Sequence, residues 1–438
     1  MSEAGGDIEF GWFIGIDWGT VNHVVSVGAA DGTILEELTV PHTSAELERF
    51  AAHLTTLTGG QWARIAVGIE VPRGAVVELL LERGAAVFAL NPKQLDRFRD
   101  RFSVAGAKDD RLDARVLSSA LRTDRARFRR VAVDDPLVLQ LREWTRADAV
   151  LAEDLGALTR RLRELVHRIA PQWLTLSANA DDPWFWGLLD VAATPTLGQR
   201  LRRAKVQSLL RRYRVRRVTP DAVLAALHTP PLQVAPGTVE AVVSHIQLLL
   251  PRLRLVAEQR RACTAALEAV LATLAESPVA GGHDDPPVSG GTGTRPQPSD
   301  VAIMRSAPGV GPIVSAILLA DAGPLVATRS YEGLRAVAGV APVRQQTGKQ
   351  RRGTVSMRRA CNVRLRNACY HWARNSIRLD AGAKAYYAAL RARGHSSARA
   401  LRSVADRWLR ILIAMLNGGT LYDPSRFHPS SPTLAKAN

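Results

Sequence analysis

Between Trp12 and Asn91 the apolar positions alternate first with period two and then mix the two periods. Phe13 to Ile16, His23 to Ala30 and Thr33 to Val40 are short β-prone runs separated by turn residues, and Asp31-Gly32 is a hairpin signal. Ser44 to Leu57 has helical spacing, with Thr43 or Ser44 as its N-cap. A buried strand at Ile65 to Ile69, a helix near Ala75 to Arg83 and a strand at Ala86 to Leu90 follow, the last stopped by Asn91-Pro92. The order β-β-β-α-β-α-β is that of a ribonuclease H-like α/β fold.

Beyond Pro92 the period becomes helical. Leu95, Phe98 and Phe102 form one apolar stripe, Leu112, Val116, Leu117 and Leu121 another, with a polar turn from Ser103 to Asp109 between them. Pro136 to about Pro171 and Val239 to Glu276 read as two long amphipathic helices that pair as a coiled-coil-like arm, although strict heptads are not sustained. An insert between them carries Trp173, Trp184, Phe185 and Trp186. A Gly-, Pro- and Ser-rich stretch reads as a flexible linker, and a second helical region follows it. The predicted domains are 1–130 (α/β), 131–276 (arm with insert), 277–300 (linker), 301–425 (helical) and 426–438 (tail).

Charge narrows the class of partner. The chain of 438 residues has 58 Lys and Arg against 41 Asp and Glu, a formal net charge of +17, which points to a polyanion. Arginine dominates the excess, and its planar fork suits phosphates. The densest run, from Arg200 to Arg217, includes Arg202, Arg203, Arg211, Arg212 and Arg214 as candidate nucleic-acid contacts. Three widely spaced cysteines (Cys263, Cys361, Cys369) indicate neither a disulfide framework nor a structural zinc site. No signal peptide or membrane span is read, so a soluble cytoplasmic protein is expected.

Two constellations carry the chemistry. Asp17 ends the strand Phe13 to Ile16, and Glu70 holds the corresponding place after Ile65 to Ile69. A carboxylate leaving an apolar strand is costly unless solvated or holding a metal. Asp110 and Asp113, at a helix start, share one helical face by their i to i+3 spacing. Four such carboxylates would form a hard-oxygen site for Mg²⁺ or Mn²⁺. The second constellation begins with Ala307-Pro308-Gly309-Val310-Gly311-Pro312, a helix-hairpin-helix-like signature in which Gly309 and Gly311 would let backbone amides approach a DNA phosphate. It continues with Thr347 amid Arg344, Lys349, Arg351 and Arg352, a hydroxyl placed among phosphate-binding charges. Taken alone, Gly309 and Gly311 also suit a tight interhelical turn, and Thr347 a capping role.

In this order the segments Ile14-Gly15-Ile16-Asp17, Ile69-Glu70, Asn91-Pro92, Lys108 to Ala114, Ala307 to Gly311 and Ala338-Gly339-Val340-Ala341-Pro342 with Thr347-Gly348 resemble the DEDD insertion-sequence transposases. That family includes bridge-RNA-guided recombinases and the pilin-gene invertase. The resemblance runs from about Phe13 to Phe427. It implies a RuvC-like domain with Asp17, Glu70, Asp110 and Asp113 as its metal-binding tetrad, and a helical transposase domain. It places Thr347 where the family has a nucleophilic serine. It further implies donor and target DNA, a structured guide RNA, a covalent link between protein and DNA, and a dimer to tetramer with a composite site. Threonine for serine keeps the oxygen but adds a methyl, leaving a slower or a silent enzyme as alternatives.

Three other readings stay open. A structure-selective nuclease would use the tetrad alone, and a silent derivative would only bind nucleic acid. An actin-like or sugar-kinase-like ATPase is suggested by Gly15-Ile16-Asp17-Trp18-Gly19-Thr20, but needs a second phosphate loop, for which Asp321-Ala322-Gly323 is a poor candidate.

Overall fold

The computed structural model describes residues 9–99, 101, 109–131, 135–276, 298–345, 354–358 and 360–427. The chain divides into two compact units, one ending at Asp135 and the other starting at Pro136.

The first unit is built on β1 (Trp12–Asp17), β2 (Asn22–Ala29), β3 (Ile34–Pro41), α1 (Ser44–Thr58), β4 (Ile65–Ile69), α2 (Ala75–Glu82), β5 (Ala86–Ala89), α3 (Pro92–Arg99), α4 (Asp110–Asp124) and β6 (Arg129–Arg130). Its six-stranded sheet has the order β3-β2-β1-β4-β5-β6. The first three strands are antiparallel neighbours, β4 and β5 continue from β1 in parallel, and β6 closes the edge antiparallel to β5. The turn after β2 forms as Asp31-Gly32 predicts, with Gly32 at φ 98° and the Asp31 carboxylate accepting from the Thr33 amide at 2.8 Å. Thr43 caps α1 by accepting from the Glu46 amide. Alternation along the strands sends Ile14, Ile16, Ile65, Val67 and Ile69 into a core with α1 and α2. Phe13 and Ala66 go into a second core with Val116, Leu117 and Leu121 of α4. The strand β6 is absent from the sequence reading, because two consecutive arginines carry no period.

The second unit opens with α5 (Pro136–Ile169), then α6 (Pro183–Val191), α7 (Pro195–Gln199), α8 (Arg203–Arg212), α9 (Pro220–His228) and α10 (Thr238–Glu276). The long α5 and α10 pack against each other in antiparallel sense: Asp148 pairs with Arg260 at 3.0 Å, and Leu141 shares a core cluster with Leu267 and Leu271. The insert is a small helical body on the other end of this pair. Trp173, Trp184, Phe185 and Trp186 are its buried core together with Leu162 of α5 and Leu250 of α10, so the aromatic cluster is consumed by packing.

After residue 298 come α11 (Asp300–Ser306), α12 (Pro312–Ala327), α13 (Tyr331–Val337), β7 (Pro342–Gln345), β8 (Thr354–Met357), α14 (Val363–Leu379), α15 (Ala381–Ala392), α16 (Ser397–Gly418) and α17 (Pro424–Phe427). The expected linker lies outside the described residues apart from its last three. The expectation of an all-helical region is corrected at one place: β7 and β8 pair antiparallel, with Gln345 opposite Thr354. Runs of four residues are too short for a period of two to stand out against helical neighbours. The core here is helical, around stacked Trp372 and Trp408 at 5.6 Å.

Candidate active site

The sheet register brings the first two acids side by side. On parallel neighbours β1 and β4, Ile16 stands opposite Ile69, so the next residues, Asp17 and Glu70, leave the sheet at one level and on one face. That face is covered by α4, which approaches because two facing positions are glycine. A Cβ on Gly15 would lie 1.9 Å from the Ala114 carbonyl oxygen, and one on Gly68 3.3 Å from that of Leu117. The Ser118 hydroxyl donates to the Phe13 carbonyl at 2.6 Å and ties the helix to β1. The N-cap of α4 is Asp109, whose carboxylate accepts from the Arg111 amide. Asp110 and Asp113 are thereby left within the first helical turn, above the ends of β1 and β4.

All four acids line one cleft of about 460 Å³, together with Trp18, Asn22 and one side of α3. On that side Pro92, Leu95, Asp96 and Arg99 follow at i, i+3, i+4 and i+7. Arg99 grips the buried Asp113 with both arms of its fork: Nε donates to Oδ1 at 2.7 Å and Nη2 to Oδ2 at 2.8 Å. It also donates to Asp96 at 3.0 Å. The bond to Asp113, set against partial burial and helped by the charges of Asp113, Asp96 and Glu70, raises the guanidinium above its ordinary value. Arg99 was not among the residues singled out from sequence. Its signal was there, as the position one turn beyond Asp96 on the Leu95 stripe.

The loop after Asp17 has a support of its own. The Gly19 amide donates to His23 Nδ1 at 3.4 Å, and His23 Nε2 lies 2.8 Å from His42 Nδ1. Burial first, and His42 second, push the His23 imidazole below its ordinary value.

In donor chemistry the cleft suits a hard divalent cation, since its acids offer carboxylate oxygen and no thiolate or imidazole lines it. Among the described residues no three acidic, histidine or cysteine side chains stand close enough to ligate one ion as they lie. The fork on Asp113 is the visible reason that this acid is otherwise engaged.

The second constellation is distributed as follows. Gly309 has φ 86° and packs on α14, where a Cβ would come 2.9 Å from the Ser376 amide, and Trp372 Nε1 donates to the Pro308 carbonyl at 3.0 Å. Gly309 therefore serves a tight interhelical turn. Gly311, the N-cap of α12, has open space around it. Arg344 lies on β7, while Thr347, Lys349, Arg351 and Arg352 lie outside the described residues. In the insert, α8 buries Val206, Leu209 and Leu210 and leaves Arg202, Arg203, Arg211, Arg212 and Arg214 exposed, with Arg203 paired to Asp221. Asp321-Ala322-Gly323 sits inside α12, and Asp321 pairs with Arg364 of α14 at 3.4 Å. It is helix interior, with no place for a phosphate loop, which removes the feature that an ATPase reading needs.

Comparison with known proteins finds matches over the segments that carry the two constellations. A DEDD transposase model of IS110 elements matches residues 14–171, and a model described as transposase of the IS116/IS110/IS902 family matches residues 301–388. A Sinorhizobium fredii protein named as a transposase is 45% identical over 206 residues, which span 47% of this chain and 57% of that relative. The Streptomyces coelicolor protein named as the mini-circle transposase for IS117 is 27% identical, covering 94% of this chain and 96% of its own. The 43.6 kDa protein of insertion element IS110 from the same organism is 26% identical, covering 95% and 96%. With matches in both of its units and full-length relatives from insertion elements, the chain belongs to the IS116/IS110/IS902 family of DNA transposases.

Proposed function

We propose that this transposase cuts and rejoins DNA strands with a carboxylate site in its first unit and a hydroxyl in its second. The observation that carries the reading is the register Ile16 to Ile69, which sets Asp17 beside Glu70 in a cleft that Asp110 and Asp113 also line. Asp17, Glu70 and Asp110, with Asp113, would hold Mg²⁺ or Mn²⁺. The chemistry such an ion supplies is Lewis-acid stabilisation of charge developing on a phosphodiester. The protein's own part is to fix the carboxylates on a rigid sheet and helix start and to keep Asp113 oriented through Arg99.

In this reading, which follows the resemblance, Thr347 would be the nucleophile. Its hydroxyl would give up its proton as its oxygen bonds to phosphorus and one strand's P–O bond breaks, the departing DNA oxygen taking up a proton to become a hydroxyl. A ligand set in one unit and a hydroxyl in the other match a composite site, which the family builds between subunits. The exposed arginines of the insert would follow a phosphate backbone. Choice of sequence would reside in a structured guide RNA paired to donor and target DNA.

The test is recombination between a circular element and its target plasmid, with the flanking noncoding DNA supplied. Wild type is expected to yield junctions, and Asp17→Ala and Thr347→Ala to yield none. Junctions at the wild-type level from Thr347→Ala would overturn the nucleophile. Strand cuts without junctions from that variant would favour the structure-selective nuclease.

A further inference from the structure

We propose that Arg99 is a built-in counter-cation of the acidic cleft, a positioning residue that holds Asp113 and competes with a divalent ion for it. The proposal rests on the reading of Asp17, Glu70, Asp110 and Asp113 as one ligand set, and its test separates the two.

Asp113 is 3% exposed, so a carboxylate there needs a cation or several donors to offset the loss of water. Arg99 supplies both: one fork, two short bonds, one on each oxygen. The arginine is in turn anchored from its own helix by Asp96, one turn back on the side that lines the cleft. It stands near enough to Glu70 for the two charges to interact. The protein thus carries a positive charge inside the space where a divalent ion would meet the fourth acid.

Two consequences follow from electrostatics. An ion entering beside Asp113 faces the guanidinium charge and must replace two charge-assisted bonds, so the fork and the ion oppose each other. The fork also keeps Asp113 oriented when no ion is bound, so the cleft does not fly apart by repulsion among its acids. Arg99 then sets the affinity of the site at a level that lets an ion exchange, and Asp113 is an acid whose ligation is conditional on release of the fork.

The experiment uses the full chain, freed of metal with a chelator and titrated with Mn²⁺ by calorimetry, with thermal melts in parallel. Arg99→Gln is expected to melt lower than wild type in chelator, to bind Mn²⁺ about tenfold more tightly, and to regain melting temperature as Mn²⁺ is added. Arg99→Lys, which keeps the charge and loses the fork, is expected to bind with intermediate affinity, and it carries the test alone if Arg99→Gln does not fold in chelator. A purely structural salt bridge would lower the melting temperature and leave the affinity where it was; that result in both variants, or weaker binding, overturns the proposal. Asp17→Ala is the control. If it binds Mn²⁺ like wild type, the ligand set is wrong and this inference falls with it. If it loses binding while the Arg99 variants gain none, the ligand set stands and the inference alone fails.

Discussion

At the residue scale, single side chains here act by how closely they let neighbours approach or by which protonation state the fold favours. Gly15 shows the first. Its missing Cβ is what allows α4 to rest on β1, and Gly15→Ala would force a methyl into the backbone of Ala114. A destabilisation of about 3 kcal/mol or more is expected in chemical denaturation, together with loss of Mn²⁺ binding as α4 lifts; unchanged stability would show that the helix yields without cost. His23 shows the second. Burial and His42 hold its folded value below the ordinary one, so folding favours the neutral ring over the charged one, and the associated stability is complete above about pH 6.5 and lost as pH falls through the lower folded value. Melts of the wild type between pH 7.5 and 5 should fall more steeply than those of His23→Gln, and parallel curves would remove His23 as the cause. Cys369 is buried and its thiol pushed up to about 12, which makes it inert toward alkylation in the native protein.

At the scale of elements, helices are joined by polar pairs as well as by apolar faces. Asp321 of α12 is nearly buried and faces Arg364 of α14, whose guanidinium also donates to Thr145 of α5. Burial lowers the Arg364 value, opposed by the Asp321 charge. Asp321→Ala would leave that guanidinium without its carboxylate, at a cost of about 3 kcal/mol. The double variant Asp321→Leu with Arg364→Met is expected to recover most of it, as read by urea denaturation. Recovery would mean that the pair specifies how the three helices meet without adding much net stability. In the insert, α8 divides its residues cleanly: Val206, Leu209 and Leu210 enter the aromatic core, while the basic positions stay at the surface. That division lets the same ten residues stabilise a fold and keep their charges in water.

At the scale of the molecule, each unit carries its own cores. Among the described residues, those of the sheet and of α1 to α4 make up two clusters, and those of the helical unit three others. The first unit, expressed through Asp135, is therefore expected to fold alone with a cooperative melt, and a noncooperative transition would show that it depends on the rest. The net charge of +17 is expected to make nucleic-acid binding strongly salt-dependent. Replacing Arg211 and Arg212 by Gln should reduce the slope of log affinity against log salt by about 2 if both meet phosphates, measured by fluorescence anisotropy. An unchanged slope would remove α8 from the interface. Among the described residues no helix is long and apolar enough to cross a membrane.

By itself the sequence determined what short-range physics controls. The hairpin at Asp31-Gly32, the cap at Thr43, the strand Ile65 to Ile69 and the two long helices were all legible, because turn chemistry and hydrophobic period act over a few residues. The acids were legible too, as carboxylates at strand ends and on one helical turn. Only the tertiary structure decided how they meet. Sheet order and register, which level Asp17 with Glu70, depend on pairing between segments some fifty residues apart, and no local pattern encodes that. The fork from Arg99 to Asp113 joins two helices across fourteen residues of chain, and the use of Gly15 as a seat for α4 is set by a neighbour, not by a turn. Strands as short as β6 and β7 exist because a partner strand satisfies their backbones, so their cause lies outside their own residues.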